Sequence, residues 1–143
     1  MTLKTILKSK PAGFIAVAPD ARVAKVVAVL AEMHIGAVLV TDNGRLVGIL
    51  SERDVVRILA QQGAATLDMP ASALMTPNPS TASPDITVEQ AMSLMTEGRF
   101  RHLPIIENGQ LAGLVSIGDV VKAVIEQSQY EVENLRTYVA GRV

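Results

Sequence analysis

The chain has 143 residues, 49% of them hydrophobic and only 3% aromatic, and a formal net charge of −1. That length suits one domain, or two very small ones sharing a core, built from Val, Ala, Leu, Ile and Met. The charge excludes nucleic-acid binding by bulk electrostatics; the absence of cysteine excludes disulfides, thiolate catalysis and Cys-based metal sites; two histidines without clustered carboxylates leave no dedicated metal site.

The N-terminal stretch MTLKTILKSKPAG carries basic residues but no apolar run long enough for a secretory signal. No segment approaches the ~20 apolar residues of a membrane span, so a soluble, cytoplasmic protein without a membrane partner is expected. A brief strand is predicted at Phe14–Val17. Val23, Val26, Val27 and Leu30 then recur at i, i+3, i+4 and i+7, an amphipathic helix. Two apolar runs follow, Ala37–Val40 and Leu46–Leu50, separated by Asn43-Gly44, the strongest short-range hairpin signal. A second helix begins after Ser51, and residues 60–75 read as a connector.

The same series then returns. A strand is predicted around Ser80–Ala82, and a helix on Val88, Ala91, Met92 and Met95 with Thr87 and Gln90 as its capping box. Runs Leu103–Ile106 and Leu111–Val115 flank Asn108-Gly109, and a last helix starts after Ser116. Shifting the sequence by 65 residues aligns Pro19–Val56 with Pro84–Val121 without a gap, and twelve of the 38 positions are identical. Such a repeat signals a unit that cannot bury its apolar face alone. The expected organisation is a first repeat over 1–65, a second over 66–128 and a tail helix over 129–143, its stripe being Val132, Leu135 and Val139.

The two copies share one motif, GILSERD at Gly48–Asp54 and GLVSIGD at Gly113–Asp119. Ser followed by Asp at the third position, ahead of an apolar run, is the pattern of a capping box, although the box prefers Glu or Gln because Asp is a methylene short. The same geometry also suits a ligand. A helix start presents free amides and the positive dipole end to a phosphate, and an aspartate one turn further in can accept from a ribose diol. No glycine-rich phosphate loop is present, so neither an ATPase nor a dehydrogenase is supported.

Taken with LMTPNPSTASPDITVEQA, RFRHLPIIENGQLAGLVSIGDVV, FIAVAPDARV and IGAVLVTDNGRLVGILSERDVV, the pattern resembles a tandem pair of CBS domains, the regulatory modules named after cystathionine β-synthase, over about residues 5 to 128. The resemblance implies an α/β (α+β) fold of two βαββα units related by a pseudo-twofold axis, with sheets packed together and helices outside. It also implies two clefts that take AMP, ADP, ATP, NAD or S-adenosylmethionine, and a homodimer. Carried over position by position, one cleft would use Ser116, Gly118 and Asp119 with Ala16, Ala18, Ile35, Gly36, Ala37, Arg101 and His102. Its mate would use Ser51, Arg53 and Asp54 with Thr81, Ser83, Phe100, Arg101 and His102. The Asp119 cleft is expected to favour an AMP-type ligand, because Gly118 lets backbone approach the phosphate whereas Arg53 crowds the counterpart.

A Ser116/His102/Asp119 hydrolase lacks a nucleophile elbow, and Asp119, one turn from Ser116, is poorly placed to orient a histidine. His34 reads as a helix-end residue and the methionines as core filler. The expected function is therefore a stand-alone regulatory sensor that is not an enzyme and carries no catalytic cofactor. Its ligand is an adenosine-containing small molecule, AMP first, and a protein target is not identifiable from the residues. The alternatives are a structural or interaction module whose motifs only cap helices, and an S-adenosylmethionine sensor.

Overall fold

The computed structural model describes residues 1–10 and 14–140. Helix α1 (Leu3–Ser9) opens the chain and is followed by β1 (Ala16–Val17), α2 (Val23–Met33), β2 (Ala37–Asp42), β3 (Arg45–Ser51) and α3 (Glu52–Gln62). A 3₁₀ helix (Gly63–Asp68), a short α4 (Ala71–Leu74) and β4 (Thr76–Pro77) connect to α5 (Val88–Gly98), β5 (His102–Glu107), β6 (Gln110–Ser116) and α6 (Ile117–Ala140). β1 pairs parallel with β2, β2 antiparallel with β3, and β3 antiparallel with β4. β5 and β6 form a hairpin in the same register as their counterparts, His102 opposite Ser116 as Ala37 is opposite Ser51. The expected strand at Ser80–Ala82 is reduced to a single parallel bridge, Ala82 to Ile105.

Local chemistry explains the hairpins and the helix ends. Asn43 and Gly44 have φ of 51° and 81°, Asn108 and Gly109 of 53° and 76°, the paired left-handed conformations that a two-residue turn requires. Thr87 and Gln90 close their capping box with bonds of 2.8 and 3.0 Å. Helices α2 and α5 end on left-handed His34 and Arg99, whose amides donate to Leu30 and Met95.

Each unit has its own core, and each core is completed by a helix from the other repeat. Val23, Val26, Leu30, Val38, Val40, Leu50 and Val55 of the first repeat pack with Ala71 and Leu74 of α4. Val88, Ala91, Met95, Leu103, Ile105, Val115 and Val120 of the second pack with Leu3 and Ile6 of α1. The glycine opening each motif permits the crossing: a Cβ on Gly48 would stand 2.3 Å from Met75 Sδ, and one on Gly113 2.7 Å from Leu7 Cδ2. The units meet where β3 lies against β6, and Ala37 and Leu39, on the reverse face of β2, are also buried.

Two expectations change. Residues 3–9 fall within the first repeat by sequence but belong to the second unit by packing. The tail is not a separate helix: α6 runs unbroken from Ile117 to Ala140, because neither Gly nor Pro follows Gly118 until Gly141. Residues 141–143 of the expected tail lie outside the described residues.

Candidate functional site

Both Ser-x-x-Asp motifs sit where a strand becomes a helix. Ser51 is the N-cap of α3, extended at φ −104° and ψ 162°. Its N–H and Oγ–H donate to Asp54 Oδ2 at 2.9 and 3.0 Å, and Asp54 N–H returns a bond to Ser51 Oγ at 3.3 Å. In the second copy Ser116 N–H donates to Asp119 Oδ2 at 2.8 Å and Asp119 N–H to Ser116 Oγ at 3.1 Å. Aspartate therefore closes the box despite its missing methylene. Glu52 N–H donates to Gly36 O and Ile117 N–H to Arg101 O. Most of the outward amides expected at these helix starts are thus engaged within the protein. What remains for an anion is the helix dipole and the side chains around it.

Those side chains converge in an open cleft of about 700 Å³ between the two repeats. Ser51, Glu52, Arg53, Asp54 and Arg57 form one wall, Gly98 to His102 the other, and Gly36, Ile49, Thr76 and Asn78 to Ser80 close its ends. Four arginines (53, 57, 99 and 101) outnumber the two acids. Arg57 Nη2 donates to Asp54 Oδ1 at 3.2 Å; among the described residues Arg53, Arg99 and Arg101 have no carboxylate partner. Phe100 is half-buried, its ring lying across Gly98, where a Cβ would meet it at 2.3 Å.

Of the residues expected in the Ser51 cleft, Ser51, Arg53, Asp54, Phe100, Arg101 and His102 line it. Thr81 and Ser83 do not. Thr81 faces a smaller recess of about 350 Å³ beside the two hairpin turns, and Ser83 Oγ accepts from Asp85 N–H in a local turn. Of those expected in the mate, Gly36 lines the Ser51 cleft instead, beside Arg101 and His102, which were expected in both. Ile35 packs against the first core and Ala37 is buried. Ala16 and Ala18 are exposed to either side of buried Val17. Gly118 needs no special conformation, since an added Cβ would meet only Ser116 Oγ at 3.6 Å.

The second joint differs from the first in one partner. Lys10 Nζ donates to Asp119 Oδ2 at 2.7 Å and to Leu114 O at 2.8 Å. Burial would raise the Asp119 carboxyl, but the hydrogen bond from Lys10, the Ser116 amide and the lysine charge together hold it below the ordinary carboxylate value. Asp119 Oδ2 is thus shared between Ser116 N–H and Lys10. His102 sits between the joints. Burial lowers its pKa below 6.5, against the opposing pull of Glu52 and Asp119 and with help from Lys10 and Arg101. Its imidazole is accordingly neutral near pH 7. Sequence reasoning missed Lys10, Glu52, Arg57, Thr76 and Asn78 to Ser80. Glu52 lies inside the motif and Arg57 one turn beyond it on α3, both within reach of helical spacing; the others carry no local signal. Among the described residues no group of three His, Asp or Glu side chains is arranged to hold a metal ion, and no helix is long and apolar enough to cross a membrane.

The sequence model of the CBS domain matches residues 6–61 and 71–126. The mitochondrial CBS domain-containing protein CBSX3 of Arabidopsis thaliana is 33% identical over 149 aligned residues, covering 98% of this chain and 72% of that protein. A CBS-domain containing protein of Agrobacterium tumefaciens superposes with a TM-score of 0.83 at 45% identity, over 86% of this chain and 98% of its own. A CBS domain protein of Pyrobaculum aerophilum, solved in complex with AMP, superposes with a TM-score of 0.74 at 28% identity, over 83% of this chain and 89% of its own.

Proposed function

The chain belongs to the CBS-domain family, as a tandem pair, and on that premise we propose that it is a regulatory module binding an adenine nucleotide in the Ser51 cleft. One observation carries the reading: the Ser51–Asp54 joint, Phe100 and three arginines without a carboxylate partner among the described residues all line the cleft of about 700 Å³. That volume lies within the roughly 300–1,000 Å³ of small-molecule sites. In the proposed pose Asp54 accepts from the ribose hydroxyls, the phosphate lies toward the start of α3, and the base rests on Phe100. The AMP complex of the Pyrobaculum relative supports the ligand class. The surplus of arginine suits more than one phosphate, so ADP, ATP and NAD are included with AMP. The same positive field disfavours the sulfonium of S-adenosylmethionine.

The module is proposed to act by conformational change rather than catalysis, as a homodimer. Support for association comes from apolar side chains left exposed along the outer helices: Val56 on α3, and Val121, Ile125, Val132, Leu135 and Val139 on α6. A second reading, that the motifs are joints only, is favoured by the closed capping boxes of both copies. A thermal-shift panel with AMP, ADP, ATP, NAD and S-adenosylmethionine separates the two. A ligand at 100 times its Kd adds about 2.7 kcal/mol and raises Tm; no shift with any of the five would refute nucleotide binding.

A further inference from the structure

The two joints have the same box and different neighbours. At the first, Met75 lies over Gly48, and the chain that follows it, Thr76 to Ser80, brings no cation to the cleft it lines. The partner of Asp54 there is Arg57 of its own helix, 61% exposed and free to swing away. At the second, Leu7 lies over Gly113 in the equivalent place and pins the end of α1 along β6. Three residues on, Lys10 delivers its ammonium to Leu114 O and Asp119 Oδ2, with the pair 33% and 24% exposed.

From this contrast we infer that Lys10 is a built-in occupant of the Asp119 joint. It takes the carboxylate that a ribose would use, so the chain binds one nucleotide at Ser51 and is closed to a second at Asp119. The inference rests on the nucleotide-binding reading above. Its physical basis is an exchange of unequal bonds. A ribose diol brings only neutral donors to the carboxylate, whereas Lys10 brings a full positive charge, so its hydrogen bond to Asp119 is also an ion pair at 2.7 Å in a partly buried setting. Displacing the ammonium would also leave Leu114 O without that donor. No comparable exchange is required at Asp54, where Oδ1 faces only the exposed Arg57.

The test is calorimetric titration with AMP of the full chain and four variants: Lys10→Met, Lys10→Arg, Asp54→Asn, and Lys10→Met with Asp54→Asn. Thermal melts establish that each is folded. The wild type and Lys10→Arg should bind one equivalent, weakened about 10-fold or more in Asp54→Asn. Lys10→Met should bind a second equivalent, and the double variant should keep that one at full strength while the Ser51 equivalent is weakened as in Asp54→Asn. Two equivalents in the wild type, one in Lys10→Met, or weaker binding at Ser51 in Lys10→Met would each overturn the inference while leaving nucleotide binding intact. No binding by any of the five refutes the underlying reading, and this inference with it. Should Lys10→Met fail to fold, Lys10→Gln serves in its place under the same outcomes.

Discussion

Replacing Asp54 by Asn decides whether the first joint is a site or only a cap. In the folded chain Asp54 Oδ2 accepts from Ser51 N–H and Oγ–H, and Oδ1 accepts from Arg57 at 3.2 Å. Asparagine keeps one carbonyl oxygen for the Ser51 amide, so the cap survives in part. The structural cost is then about 0.5–1 kcal/mol, a fall in Tm of about 2–5 °C for a chain of this size. Arg57 is exposed, so its loss as a partner adds little. Binding responds to a different quantity. If both ribose hydroxyls donate to a carboxylate, those bonds are charge-assisted and worth about 1.5–3 kcal/mol, so AMP affinity should fall roughly 10- to 150-fold. A 2′-deoxy nucleotide should bind the wild type more weakly than AMP does, and this difference should shrink in Asp54→Asn, since both changes remove one interaction. Calorimetry with AMP and its 2′-deoxy analogue on the two proteins, beside thermal melts, gives all four numbers. Unchanged affinity with a lowered Tm would refute the reasoning, because Ser-x-x-Asp would then be a joint alone.

Further outcomes follow from the same geometry. Gly48→Ala should cost about 1–3 kcal/mol by chemical denaturation, because the new Cβ meets Met75 from Sδ back to Cβ; Gly113→Ala should cost less, because only Leu7 Cδ2 must move. An unfolded histidine takes its proton near pH 6.5 and half-buried His102 only at lower pH, so stability should fall as pH drops below 6.5 through the folded pKa. His102→Asn should flatten that slope, and a slope unaltered by the substitution would place its origin elsewhere. Nucleotide affinity should decline as salt rises from 50 to 500 mM, since Arg53, Arg99 and Arg101 would be screened; indifference to salt would mean the ligand is held by base and sugar. Sedimentation at micromolar concentration should show a dimer, and a monomer with and without AMP would remove self-association from the proposal.

What the residues announce in advance is everything decided within about four positions of the chain. The Asn-Gly turns follow from the need for positive φ at both central residues. The boxes at Thr87, Ser51 and Ser116 follow from side chains bonding amides three residues away. The 65-residue repeat extends that local logic into a family and a fold. The leading helices were beyond it: seven and four residues long, α1 and α4 are too short to be stable alone or to show a period. They form because Leu3 and Ile6 find a core built by the second repeat, and Ala71 and Leu74 one built by the first. That exchange carries Lys10 across 109 residues of chain to Asp119, while no cation follows Met75 to Asp54. Two joints with the same serine and aspartate therefore differ in what reaches them, because charge pairing across a folded core depends on which segments burial brings together and leaves no periodic trace along the chain.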